Sequence, residues 1–203
     1  MTVAGGKVTK TTYDYVDKDG KSKQDDKTYN EKMKKVSKTN PKEYIPKLNK
    51  EFTDKGADVS SIEVVSGATH SSNSFKNYAQ QLVQAAQAGN TETIEIDNGA
   101  KMQDGTYKLE EKKYSHDYRT VFTMVVKDSK ITESKFDNIN KDGKSKADDA
   151  AYNKQMKKIA KTDPKEYIAK LNSEFVKAQE PGKVDVVSGA TESSHSFVNY
   201  AEQ

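Results

Sequence analysis

The chain of 203 residues contains no cysteine and no tryptophan. The absence of cysteine excludes disulfide bonds, thiolate catalysis and zinc–thiolate sites. No stretch reaches the roughly 18 consecutive apolar residues of a membrane-spanning helix, and no signal peptide or lipid-anchor motif is visible. Neither charge dominates, since 34 basic residues stand against 31 acidic ones. That balance argues against a nucleic-acid partner, because such proteins concentrate basic residues on one face.

Hydrophobic residues are also scarce. They make up 33% of the chain, and the mean hydropathy is −0.99. This composition predicts small cores that are built from a few apolar anchors.

What the sequence does contain is a long internal repeat. Asp19–Phe52 returns as Asp142–Phe175 with 24 of 34 positions identical, and Val64–Phe75 returns as Val186–Phe197. A repeat of this length is a whole small domain rather than a solenoid unit. We therefore predict two tandem domains of one fold, at residues 1–88 and 104–203, joined by a polar linker at residues 89–103.

The alignment of the two copies places Met1 opposite Met124. The first copy is therefore expected to lack counterparts of roughly residues 104–123, which include the first strands of the domain. Any export signal or anchor is expected to lie upstream of Met1.

The residue patterns within each copy predict an α+β fold, a small antiparallel sheet with helices packed on it. In the second copy, strands are predicted at residues 107–110, 120–126 and 131–136, with a turn at residues 127–130. Asn40-Pro41 and Asp163-Pro164 each predict a helix start, since an N-cap residue precedes proline. A short strand at residues 184–187 is predicted to lead into the third helix of its copy.

Stripes of Tyr, Met, Phe and aliphatic residues at helical spacing are interpreted as core positions. Their spacing is what burial of one helix face requires. They include Tyr29, Met33 and Val36 and their equivalents Tyr152, Met156 and Ile159.

A Ser-Gly-Ala-Thr motif stands at the predicted junction of strand and third helix in each copy. A helix that begins there offers unpaired backbone N–H groups and the positive end of its dipole. Glycine and alanine leave the backbone open to a phosphorylated group, and the hydroxyls can donate to phosphate oxygens or cap the helix. The motif predicts an anion site, with a merely well-capped helix as the alternative. Its residues are Ser66, Gly67, Ala68 and Thr69, and again Ser188, Gly189, Ala190 and Thr191.

Together with the preceding Asp185-Val186-Val187, the second motif resembles the flavinylation sequence of the FMN-binding domain family. In that pattern an acidic residue and two variable positions precede Ser/Thr-Gly-Ala-Ser/Thr. The resemblance implies that Thr191 is esterified to the phosphate of FMN by an ApbE-type flavin transferase, which uses FAD as donor and needs magnesium. Thr69 is the equivalent position in the first copy, where Glu63 replaces the aspartate.

The resemblance covers both copies nearly end to end, including an Asp-Gly-Lys-x-Lys turn before a Tyr-Asn-x-x-Met helix. The arrangement is similar to tandem extracellular lipoproteins of Gram-positive bacteria that carry two FMN groups. It implies a cell-surface electron carrier between a membrane electron donor and extracellular acceptors such as ferric iron. A phosphodiester retains the flavin without cysteine, and the flavin ring rather than a catalytic side chain performs the redox work.

Two other functions stay open on the sequence. A cell-surface binding or spacer module would use the motif only as a helix cap and would carry no flavin. A noncovalent FMN oxidoreductase would release its flavin on denaturation.

Histidines and serines outside the motif are interpreted as structural or solvent-exposed. His70, His116 and His195 occupy non-equivalent positions in the two copies, and no metal-ligand spacing appears. Ser72 and Ser194 have no base at an equivalent place in both copies, which argues against a hydrolase triad. We therefore predict neither a metal site nor a catalytic residue.

Overall fold

A computed structural model describes residues 1–97 and 100–203. The chain forms two compact units, Met1–Ile94 and Glu95–Gln203. Each is a mixed helix-and-sheet domain, which confirms the predicted fold class. Asn98 and Gly99, which belong to the predicted linker, lie outside the described residues.

The first unit consists of a two-stranded antiparallel sheet followed by three helices. The strands are β1 (Thr2–Ala4) and β2 (Lys7–Lys10), and the helices are α1 (Lys27–Ser37), α2 (Pro41–Lys55) and α3 (Thr69–Ala88). A 3₁₀ turn precedes α1 at Lys23–Asp25, and another follows α2 at Val59–Ser61.

The second unit has the same order of helices after a larger, three-stranded antiparallel sheet. Its strands are β3 (Gly105–Glu110), β4 (Arg119–Lys127) and β5 (Lys130–Ile139), with β4 in the centre. Its helices are α4 (Ala150–Ala160), α5 (Pro164–Ala178) and α6 (Thr191–Glu202). All three predicted strands are confirmed. The turn between β4 and β5 is also confirmed, and its residues Asp128 and Ser129 have φ of +52° and +57°, as a two-residue hairpin turn requires.

Side-chain amides of α5 satisfy the free edge of β5. Asn172 Oδ1 accepts the Phe136 N–H at 2.7 Å, and its Nδ2 donates to the Phe136 carbonyl at 2.9 Å. Asn49 makes the same pair of bonds with Tyr13 in the first unit. These bonds satisfy backbone groups that strand pairing leaves open, and they hold the helix against the sheet.

The helix starts at Asn40 and Asp163 are confirmed as capped. Asn40 Oδ1 accepts the Glu43 N–H at 3.1 Å, and Asp163 Oδ1 accepts the Glu166 N–H at 3.0 Å. The proline that follows each cap has no N–H to satisfy, so it suits the first helical position.

Each core lies between the sheet and its second and third helices. In the second unit Tyr167, Ile168, Leu171 and Phe175 of α5 pack with Phe197 of α6 and with apolar residues of β4 and β5. These four residues of α5 recur at helical spacing, so they share the one face of the helix that the core covers.

The core prediction is wrong for Tyr29 and Val36 of α1 and for Tyr152 and Ile159 of α4, all of which are exposed. Val36 is 83% exposed and Ile159 is 75% exposed. These helices lie at the rim of their units, where only Met33 and Met156 pack partly against the core. Helical spacing shows that residues share one face of a helix. It does not show whether another part of the unit packs against that face.

Candidate functional site

The Ser-Gly-Ala-Thr sequence forms a tight turn that leads directly into α3 or α6. The N–H of Ala190 donates to the Val187 carbonyl at 2.9 Å, and Ala68 bonds to Val65 in the same way. The strand predicted before this turn is wrong. Residues 184–187 follow a 3₁₀ turn at Pro181–Lys183 and pair with no other described strand. The site therefore lies at a turn between a 3₁₀ turn and a helix, and not at the end of a strand.

Gly67 and Gly189 are required by the protein's own packing. Their φ values are +79° and +80°, in the left-handed region. A Cβ on Gly189 would lie 2.1 Å from the carbonyl oxygen of Ala160, and one on Gly67 would lie 1.9 Å from that of Ser37. Glycine is therefore required at both positions, because the end of α4 or α1 occupies the space that a side chain would need.

The alanines of the motif also face the protein interior. Ala68 is 4% exposed and Ala190 is 5% exposed, and both belong to the cores of their units. The alanine side chain is therefore an apolar anchor for the turn.

A buried serine on the first turn of each helix holds the motif in place. Ser194 Oγ accepts the Val187 N–H at 3.0 Å and donates to the Ala190 carbonyl at 2.8 Å. Ser72 repeats both bonds with Val65 and Ala68. Sequence reasoning missed this role because it tested these serines only as nucleophiles, although their recurrence three residues after each motif was visible.

Replacing Ser194 with alanine is expected to destabilise the second unit by about 1–3 kcal/mol, because the buried Val187 N–H loses its acceptor. Urea unfolding measures the loss. Ser173→Ala is the matched control, since that exposed hydroxyl only donates back to the Lys170 carbonyl, and its effect should stay within about 0.5 kcal/mol. Equal losses in the two variants would contradict the role assigned to Ser194.

The helices that follow the motif begin without a side-chain cap. Aspartate or asparagine side chains cap α1, α2, α4 and α5, whereas α3 and α6 have alanine at the N-cap position. Among the described residues, no acceptor is bonded to the N–H groups of Thr191, Glu192 and Ser193. The alternative of a well-capped helix is therefore wrong, and these N–H groups and the helix dipole are available to an anion.

A pocket of about 920 Å³ opens at the start of α6 in the second unit. This volume lies within the usual range for small-molecule sites. Thr191 is exposed and lines the pocket together with Gly189 and Ala190. The rest of the wall combines four aromatic side chains, Tyr118, Phe136, Tyr152 and Tyr167, with polar and charged ones that include Glu111, Asp117 and Glu192.

The structure does not bring the other predicted site residues into this wall. Asp185 and Ser188 are exposed and lie outside the residues that line the pocket. In the first unit Ser66 and Thr69 are exposed in the equivalent turn. Glu63 is exposed there as well, and its carboxylate lies 3.6 Å from Lys47 Nζ.

Among the described residues that line the pocket, Lys146 is the only lysine or arginine. Its Nζ lies 5.1 Å from the ring centroid of Tyr118 and 4.3 Å from that of Tyr152. His116 also lines the pocket, in a tight turn where its φ is +49°. The sequence gives only weak signals for these residues, because the helical spacing of Tyr152 is typical of a core position and His116 has no matching histidine in the first copy.

Tyr167 faces the same pocket from α5. Burial raises the pKa of its phenol above the ordinary value, and a hydrogen bond with Ser193 opposes part of that rise. The phenol is therefore neutral at physiological pH and can donate a hydrogen bond to a ligand.

Sequence comparison identifies the family. The family model described as "FMN-binding domain" matches residues 1–84 and 114–203, which include both copies of the motif. The chain belongs to the FMN-binding domain family.

Two individual proteins show the same similarity over one copy's length. The 15 kDa lipoprotein of Treponema pallidum (strain Nichols) is 35% identical over 94 residues, which are 46% of this chain and 66% of that lipoprotein. The match thus spans just under two thirds of the lipoprotein's length. The crystal structure of the CPE2226 protein from Clostridium perfringens is 34% identical, covers 47% of this chain and 80% of that chain, and superposes with a TM-score of 0.45.

The pocket of the second FMN-binding domain fits the chemistry of FMN. The phosphate needs hydrogen-bond donors, and the start of α6 provides free N–H groups next to Thr191. A flat aromatic ring needs apolar and aromatic walls, which Tyr118 and Tyr152 provide.

Over residues 1–97 and 100–203, no helix is long and apolar enough to cross a membrane. The same residues contain no group of three or more His, Cys, Asp or Glu side chains that could hold a metal ion.

Proposed function

We propose that this FMN-binding protein is an extracellular electron carrier with FMN joined covalently to Thr191 and Thr69. In this proposal an ApbE-type flavin transferase attaches the flavins, a membrane donor reduces them, and they pass electrons to extracellular acceptors such as ferric iron. The observation that carries the proposal is the position of Thr191. Its exposed side chain stands at an uncapped helix start, on the wall of a pocket of about 920 Å³.

The attachment step needs an accessible hydroxyl beside a site for the phosphate. Thr191 Oγ1 would form a bond to the flavin-side phosphorus of FAD, the pyrophosphate bond would break, AMP would leave, and the hydroxyl proton would be released. The diester keeps one negative charge on its phosphate. The free N–H groups at the start of α6 and the dipole of that helix stabilise such a charge.

The same pocket indicates what the flavin and the protein would each contribute. Bound FMN supplies the redox chemistry, while the protein positions its ring and sets the electrostatic environment. The aromatic side chains at Tyr118, Phe136 and Tyr152 suit the flat ring. Tyr167 adds a neutral phenol as a donor.

The cell-surface location rests on two kinds of support. One relative, from Treponema pallidum, is named a lipoprotein. The chain itself contains no cysteine, so a phosphodiester is a chemically consistent way to retain a flavin outside the cell, where a loosely bound one would be lost by diffusion.

Thr191→Val is expected to remove one of two flavins while leaving the fold intact, because valine matches threonine in shape but has no hydroxyl. The chain is co-expressed with an active flavin transferase, and its intact mass is measured under denaturing conditions. We expect two FMN increments in the wild type, one in Thr191→Val, one in Thr69→Val and none in the double variant.

Thr191→Ser is the matched control, because serine keeps the hydroxyl and should retain both increments. A full flavin content in Thr191→Val would contradict the assignment of that residue. The other functions give different results: a binding or spacer module carries no increment even with the transferase, and a noncovalent oxidoreductase loses its flavin in denaturant.

A further inference from the structure

We propose that Lys146, held between the rings of Tyr118 and Tyr152, raises the reduction potential of the flavin in the second unit, and that Lys23 does so in the first. This inference rests on the proposed function and adds a residue that controls electron flow. It gives the ammonium group of Lys146 a role that the Ser-Gly-Ala-Thr motif does not supply.

The two lysines differ from nearly all others in the chain. Three lysines of the described residues are partly buried, Lys23, Lys76 and Lys146, and the remainder are exposed. Lys76 donates hydrogen bonds to the carbonyls of Ser60 and Ile62. In the part of the chain that the structure describes, neither Lys23 nor Lys146 forms an ion pair.

The same arrangement is built from different residues in the two units. Lys23 Nζ lies 5.3 Å from the ring centroid of Tyr15 and 4.3 Å from that of Tyr29. Tyr29 is equivalent to Tyr152, but Tyr15 aligns with Asn138, and Tyr118 comes from the turn before β4. Simple duplication therefore does not account for the second tyrosine of each pair. Both units place a lysine between two tyrosine rings, although the second ring comes from a non-equivalent position in each unit.

Such a pair of rings holds an ammonium group without neutralising it. The faces of two tyrosine rings attract the cation through their quadrupoles, whereas a carboxylate would cancel its charge. Lys146 therefore brings an ammonium group without a direct ion-pair partner into the pocket, whose wall also includes the carboxylates of Glu111, Asp117 and Glu192. The phosphate charge is met elsewhere, by the free N–H groups at the start of α6.

A positive charge beside the ring favours reduction. Uptake of two electrons and one proton from a donor adds one negative charge to the ring, whereas uptake of two electrons and two protons adds none. An ammonium group stabilises the added charge by Coulomb attraction, most strongly where water is partly excluded. Removing the ammonium therefore lowers the reduction potential.

The test uses the Thr69→Val variant, co-expressed with the flavin transferase, so that the flavin on Thr191 is the sole source of the measured signal. Lys146→Met is compared with Lys146→Arg, which keeps the charge, and with Lys144→Met, which removes an exposed charge outside the pocket wall. The potential is measured by spectroscopic titration with dithionite against a reference dye. Lys146→Met should shift the reduction equilibrium about tenfold toward the oxidised form, or about 30 mV for a two-electron couple. The other two variants should match the parent within about a third of that shift.

The possible outcomes distinguish failure of this inference from failure of the proposed function on which it rests. A parent without a covalent FMN increment would overturn the proposed function itself. A fully loaded Lys146→Met variant with an unchanged potential would overturn only the role of Lys146. Loss of the increment in Lys146→Met alone would also overturn it, since the lysine would then serve attachment. In the Thr191→Val background, Lys23→Met should lower the potential of the flavin on Thr69.

Discussion

Replacing Gly189 with alanine is expected to destabilise the second unit by about 3 kcal/mol or more. Two costs combine in this estimate. A left-handed conformation costs an alanine roughly 1–2 kcal/mol, and overpacking typically adds about 1–3 kcal/mol. The second cost arises because the new Cβ would lie 2.1 Å from a backbone oxygen at the end of α4, which is a steric clash. Neither the turn nor the helix can relieve that contact by a side-chain rotation.

The control for this prediction is Gly143→Ala in the same unit. Gly143 has φ of +75°, but a Cβ there would meet no atom within 4 Å. Its substitution should therefore cost only the conformational part, roughly 1–2 kcal/mol. Urea unfolding of both variants measures the difference. Equal losses would mean that the end of α4 moves aside easily, and would contradict the close packing of the motif turn against that helix.

Replacing Phe197 with alanine is expected to destabilise the second unit by about 3–5 kcal/mol. Phe197 is fully buried in α6. Its ring centroid lies 5.1 Å from Phe122, 5.2 Å from Phe136 and 5.5 Å from Phe175, so it joins β4, β5 and α5. Truncation removes three aromatic contacts and leaves a cavity that surrounding backbone cannot fill. The helix α6, which carries Thr191 at its start, would lose these ring contacts with the core.

Ile159→Ala is the control for the loss of a large apolar side chain. Ile159 is 75% exposed, so its truncation should change stability by no more than about 0.5 kcal/mol. Hydrogen exchange of peptides from each unit would show whether the loss in Phe197→Ala is confined to the second unit. A small effect of Phe197→Ala, or a large effect of Ile159→Ala, would contradict the cores described above.

The sequence alone was sufficient for features that depend on neighbours along the chain. The repeat established two domains of one fold. The β4–β5 hairpin follows from β-branched and aromatic strands around a polar turn, and the starts of α2 and α5 follow from a cap and a proline. Each of these signals is local, because the interacting groups are only a few residues apart. The family itself was also readable, since the motif and its context recur in both copies.

The sequence did not reveal which residues surround the motif, because these contacts join distant parts of the chain. The glycine of the motif is needed because Ala160 lies beside Gly189, and no local pattern links those positions. The pocket is formed where the turn before β4, the start of α4 and the start of α6 meet, and Lys146 gains its two rings only there. The same limit explains why Ile159 was expected to be buried: spacing determines which side chains share a helix face, whereas tertiary packing decides whether that face has a partner.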